Sequence, residues 1–199
     1  CKDHTKRCSL MCEVARLHER LLGEPDVAAQ FSDHAQLQKL LEVEAALAAA
    51  EASVGVVPAT CVEPIRSVAR AELYDCAAIA AEAVDAGNVV IPVVHHLTAR
   101  VAATDTDAAR YVHWGATSQD VLDTSLVLQL RAAVPTILDH LARAQRAAAQ
   151  QAQRHADATM PGRTWLQQAT PVTFGLKAAG WADALDRTRR RVAMALDDA

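Results

Sequence analysis

Aromatic side chains are scarce in this sequence: two Phe, two Tyr and three Trp among 199 residues. With the bulky β-formers so few and alanine recurring throughout, the composition favours helices over sheets. A large charge of one sign is also missing, since 24 acidic residues face 20 basic ones for a net charge of −4. That argues against a general nucleic-acid or membrane-surface binder. Cysteine is too irregular for a disulfide framework: Cys1, Cys8, Cys12, Cys61 and Cys76 are odd in number and unevenly spaced. No apolar run is expected to be long enough to cross a bilayer, and no apolar segment of the kind a secretion signal needs follows the charged start CKDHTKRC. The expectation is a reducing, cytoplasmic setting, with no membrane and no nucleic acid among the partners. Cys1, His4, Cys8 and Cys12 match no common zinc spacing, so no metal is expected there and the segment reads as a frayed terminus.

What is present is hydrophobic material in helical order. Residues counted as hydrophobic make up 51% of the chain, enough for a substantial core. Residues 1–15 form an atypical head without periodicity. A short amphipathic segment from Leu17 leads to a turn at Gly23-Glu24-Pro25. Ser32 or Asp33 then caps a helix in which Leu37, Leu40, Leu41, Glu44, Leu47 and Glu51 recur at helical spacing, and Gly55 and Pro58 stop it. Pro64 opens a further helix, Gly87-Asn88 ends the next, and Pro92 lies in the first turn of another. No stretch alternates convincingly enough to predict a sheet.

From Ser118 helical spacing persists to about His155, on the order of 55 Å of helix, with a kink or break expected at Pro135. TMPGRTWLQQATP reads as a connection, and Thr170 and Pro171 as the cap and first residue of a last helix. Both long helices carry apolar stripes that this chain has too little further helix to cover. They predict assembly with other chains or membership in a longer protein. The cluster Arg187, Arg189, Arg190 and Arg191 reads as a solvated or interface face.

Two polar constellations stand out. In HWGATSQDVLD, Thr117 or Ser118 can cap the long helix while Asp120 suits its positive end. His113 and Gly115 are left over from that account, and a helix N-terminus with small hydroxyl residues is also a ready anion site. In GRTWLQQATPVTFG, Arg163, Thr164, Gln167 and Gln168 gather ahead of the expected last helix. Two such mouths could converge on one carboxylate-bearing ligand.

The two stretches YVHWGATSQDVLDTSLVLQLR and MPGRTWLQQATPVTFGLKAAGW closely resemble the first two signature regions of the fumarase/aspartase superfamily. FSDHAQLQKLLEVEAALAAAEASVGVVP and AGNVVIPVVHHLTARVA fit it as well, so that the resemblance runs from about Leu21 to Ala199. Within the superfamily the carboxymuconate cycloisomerase branch is the nearest in kind. Succinyl-adduct lyases carry a histidine where this chain has Trp165, and Trp cannot transfer a proton at neutral pH.

The resemblance implies an all-α, fumarase/aspartase-like fold: an N-terminal helical domain over 16–110, then the first part of a long-helix bundle domain over 111–199. It implies a homotetramer when complete, a small polycarboxylate substrate, and neither metal nor organic cofactor. The implied reaction interconverts 3-carboxy-cis,cis-muconate and its lactone in protocatechuate breakdown. His113 and Ser118 would be catalytic. Asn88, Thr117, Gln119, Arg163, Thr164 and Gln167 would bind substrate, and His95 and His96 would be structural. The family's third signature, which carries the serine usually taken as the base, falls beyond Ala199. The chain therefore resembles an N-terminal portion, incomplete for catalysis. A sister lyase and a non-catalytic helical assembly module are the alternatives.

Overall fold

The computed structural model describes residues 23–199. The head, the Cys1–Cys12 cluster and the start of the segment from Leu17 lie outside the described residues. The chain divides into two compact units, one ending at Ala132 and the other comprising Ala133–Ala199.

The first unit is a helical cluster. Helix α1 (Pro25–Ala29) begins where a turn was expected: Pro25 takes the first helical position, and the Glu24 carboxylate accepts from the Asp26 N–H. A proline's missing N–H costs nothing there, which is why a turn signal can equally open a helix. Helix α2 (Asp33–Ser53) is capped by Ser32, whose Oγ accepts from the Ala35 N–H at 3.3 Å. Its buried residues are Leu37, Leu40, Leu41, Glu44 and Ala48, one helical stripe that includes a carboxylate. Helix α3 (Val62–Val68) starts two residues before Pro64 and stops at Val68; Ala71–Leu73 form a separate 3₁₀ turn. Gln38 ties that turn to α2, accepting from the Ala71 N–H at 2.8 Å and donating to the Ala69 carbonyl at 3.3 Å.

Asp75 caps α4 (Cys76–Ala86), which ends at Gly87 in the left-handed conformation. Helix α5 (Val90–Ala102) follows, and Asn88 Oδ1 accepts from the Val90 N–H at 2.8 Å. Leu40 and Leu41 of α2, Ile65 of α3, and Val93, Leu97 and Val101 of α5 are almost wholly buried together, with Val121 packed in from the next long helix. That core holds α2 as a rigid platform.

Helix α6 (Ser118–Arg154) is 37 residues long and continuous through Pro135. The proline removes a single bond, to the Arg131 carbonyl, and the turns on either side keep theirs, so the predicted break does not occur. By length and composition alone α6 could cross a bilayer. This corrects the expectation that no apolar run is long enough: alanine and leucine dilute the few charges of α6. A core helix of a water-soluble assembly passes the same test. Leu126 and Leu130 on it are exposed.

The second unit overturns two expectations. The stretch read as a connection is an antiparallel hairpin, β1 (Thr159–Thr164) and β2 (Gln167–Thr173), paired from Thr159↔Thr173 to Thr164↔Gln167 with an irregularity at Pro161/Gly162. Most of its residues are exposed, so there is no buried face to write an alternation into the sequence. Prolines in both strands, Pro161 opposite Pro171, argued against strands as well. Thr170 and Pro171 therefore lie within β2. The last helix, α7 (Phe174–Asp197), is capped by Thr173, whose Oγ1 accepts from the Leu176 N–H at 3.1 Å.

At the hairpin's foot the Phe174 N–H donates to the Ala158 carbonyl and the Gly175 N–H to the His155 carbonyl, both at 2.9 Å. Phe174 stacks edge-on against His155 and Trp181. Leu176, Trp181 and Met194 of α7 are exposed, and its arginines pair along the helix, Arg187 with Asp183 and Arg189 and Arg190 with Asp186.

Candidate functional site

The approach to α6 is built to aim one imidazole. After the 3₁₀ turn Ala108–Tyr111 the chain extends at Val112, and then His113 (φ 56°) and Gly115 (φ 69°) both take left-handed backbone. For a histidine that conformation is uncommon and strained, of order 1–3 kcal/mol, and it persists only where surroundings enforce it. What enforces it is visible. His113 Nδ1 lies 2.7 Å from Glu44 Oε1, and the Glu44 side chain is wholly buried. Burial pushes the Glu44 carboxyl above its ordinary range; the His113 hydrogen bond opposes that, and the nearby Glu51 charge adds to it.

Glu51 lies two turns further along the same face of α2. A β-carbon added to Gly115 would sit 3.5 Å from its Oε1. The Oε2 atoms of both glutamates are buried without a hydrogen-bond partner. A buried polar atom left unsatisfied is costly and marks a place where something else is expected to bind or a proton to reside.

Beside this pair is the mouth of α6. The Thr117 N–H donates to Asp120 Oδ2 at 3.0 Å, half of the expected capping box, and Thr117 precedes the first helical residue. Ser118 and Gln119 occupy the first two helical positions, whose N–H groups have no intrahelical acceptor and carry the positive end of the helix dipole. The Gln119 amide is turned along the helix and donates to Asp123 Oδ1 at 2.6 Å. His113, Thr117, Ser118 and Gln119 thus belong to one helix entry.

The other predicted residues are placed differently. Asn88 sits at the start of α5 with its side-chain oxygen engaged by the Val90 N–H. Arg163, Thr164 and Gln167 are exposed at the hairpin tip in the second unit, not at a helix mouth, so the reading of two equivalent mouths does not hold. Between them Trp165 and Leu166, at φ 45° and 64°, form the two-residue turn and are fully open to solvent. His96 pairs with Glu82 at 2.9 Å. Among the described residues no three His, Cys, Asp or Glu side chains gather as metal ligands do.

A family model described as lyase matches residues 22–198. The chain belongs to the lyase family. It is 56% identical over 164 residues to a 3-carboxy-cis,cis-muconate cycloisomerase of Pseudomonas aeruginosa, covering 82% of this chain and 36% of that protein. The crystal structure of 3-carboxy-cis,cis-muconate lactonizing enzyme from Pseudomonas putida superposes with a TM-score of 0.85 at 47% identity, over 90% of this chain and 41% of that one. A nitrosuccinate lyase of Streptomyces davaonensis is 44% identical over 171 residues, 86% of this chain and 36% of that protein. The chain therefore spans about two fifths of the length of the lyases it matches, and over that span it has their fold.

Glu44 and Glu51 recur at helical spacing in the sequence, Glu51 among the polar positions of its helix, and the spacing gives neither a chemical role. One signal was available: a carboxylate at an otherwise leucine and alanine position, with another seven residues on along the same face. Its partner could not be read, because His113 is 69 residues away.

Proposed function

We propose that this chain supplies the helix-mouth part of the active site of a cycloisomerase that interconverts 3-carboxy-cis,cis-muconate and its lactone. The observation that carries the reading is a helix entry backed by an aimed histidine, in a chain 56% identical to a protein of that activity. In the lactone-opening direction a base removes a proton next to a carboxylate, and negative charge grows on the carboxylate oxygens. Preset N–H groups at Ser118 and Gln119, with the Ser118 hydroxyl, stabilise that charge without reorganising. His113 binds or polarises a second carboxylate, while Thr117 and Asp120 fix the helix entry. Arg163, Thr164 and Gln167 contribute from the exposed hairpin, in the site of a neighbouring copy within a homotetramer. The exposed apolar residues of α6 and α7 are what such an assembly covers. The setting is the cytoplasm, in protocatechuate breakdown.

The test uses the whole protein with 3-carboxy-cis,cis-muconate, following loss of the conjugated diene. Turnover is expected, and His113→Gln should lower it with little change in melting temperature. If melting drops several degrees while activity per folded molecule does not, His113 is structural. The 44% identity to a nitrosuccinate lyase keeps one second reading, an elimination that releases an unsaturated diacid from a succinyl adduct. Such release, with no loss of the muconate diene, would replace the first reading.

A further inference from the structure

The Glu44–His113 contact joins a carboxylate with no solvent exposure to an imidazole that is 20% exposed, at 2.7 Å. Only Oε1 of the carboxylate is used; Oε2 is buried and without a partner, and so is Oε2 of Glu51 near by. With no solvent around it and the Glu51 carboxylate on the same helix face, Glu44 cannot hold full negative charge cheaply.

Three proton arrangements are available to the pair. A charged Glu44 with a neutral His113 protonated at Nδ1 leaves one net negative charge in the core and a bare Nε2. A charged Glu44 with imidazolium, or a protonated Glu44 donating to Nδ1, leaves no net charge, and both carry the proton on Nε2. Burial, the unpartnered Oε2 and the second carboxylate all weigh against the first.

We infer that Glu44 is a positioning residue: it and His113 share a proton at Oε1–Nδ1, the pair is neutral overall, and Nε2–H is the donor offered to a substrate carboxylate. A polycarboxylate then meets a donor and not a buried negative charge. The identity of that ligand rests on the function proposed above; the proton arrangement does not.

The test is made on the whole protein. Solid-state spectra of 15N-histidine at pH 7, with His113 assigned from its loss in His113→Gln, should show Nε2 protonated and Nδ1 in a strong hydrogen bond. A bare Nε2 overturns the inference whether or not the protein turns over muconate, so failure of the substrate assignment is told apart. Glu44→Leu should return Nδ1 to an ordinary imidazole resonance and lower kcat/KM by roughly 10- to 150-fold, the scale of one hydrogen bond to a charged group. Unchanged resonance and kcat/KM within twofold would sink it. Should Glu44→Leu fail to fold, Glu44→Gln decides. This neutral isostere can donate to Nδ1 and so keep the proton on Nε2; kcat/KM should therefore stay within a few-fold, and a loss as large as that of His113→Gln would overturn Nε2–H as the donor that matters.

Discussion

The helix entry at His113–Asp120 and the hairpin tip at Gly162–Gln168 share a vocabulary: a glycine, at least one hydroxyl, at least one amide and a charge within a few residues. Both also hold non-glycine residues in left-handed backbone. They differ in what stands behind them. The entry is backed by the buried face of α2, where Glu44 meets the imidazole and Glu51 approaches Gly115. Among the described residues the tip is open to solvent, and Trp165 is 93% exposed. Polar composition can therefore mark a place as unusual, but preorganisation comes from burial and a fixed partner. An exposed tip acquires it only from whatever comes to cover it.

The largest effect that would sharpen this contrast is on catalysis. In the whole protein Ser118→Ala should lower turnover by about one to three orders of magnitude, the scale of a lost oxyanion donor, with the fold intact. Steady-state rates near wild type would remove Ser118 from the site and reduce the entry to a helix cap.

Next comes the foot of the hairpin. A β-carbon on Gly175 would lie 2.7 Å from the Ala152 and His155 carbonyl oxygens and from the Ala156 Cα. Gly175→Ala should cost about 1–3 kcal/mol in denaturant unfolding, since all three neighbours are backbone atoms. A neutral result would show that the hairpin is loosely rooted. Gly115→Ala is milder: its β-carbon meets only ordinary contact at 3.5 Å, but the φ of 69° is strained for alanine. About 1 kcal/mol of destabilisation is expected, and it should be accompanied by lowered turnover if the loop aims His113.

At the tip the sign reverses. Two consecutive positive-φ residues are what Asn-Gly supplies best in a two-residue hairpin turn. Trp165→Asn with Leu166→Gly should raise stability by about 0.5–1 kcal/mol. Lost turnover in that more stable variant would show that the exposed tip is kept for function.

The smallest effect is on the pH profile. Burial sets the folded pKa of Glu44 above the ordinary carboxylate range, so its contribution is complete below that range and is lost as pH rises through the raised value. Melting temperature should decline over that window more in the wild type than in Glu44→Gln. Superimposable profiles would mean that the carboxyl is not desolvated.

Much of the architecture was legible because helices write themselves locally. Ser32 opens a helix and Gly87 closes one as the sequence predicts, and Leu37, Leu40 and Leu41 fall on one buried stripe. The errors fell where local signals carry two meanings. Pro25 opened a helix instead of a turn, Pro135 was absorbed, and Thr170-Pro171 imitated a helix start inside a strand with no buried face.

By itself the sequence determined the helical stripes, their caps, and the family resemblance carried by its two signature stretches. Those depend on neighbours three or four residues apart. Only the tertiary structure decided that Glu44 is a buried carboxylate facing His113, and that one polar cluster is anchored while the other is a free hairpin tip. The physical reason is range: a hydrogen bond across 69 residues, and the dry environment that strengthens it, exist only once the core has closed around α2.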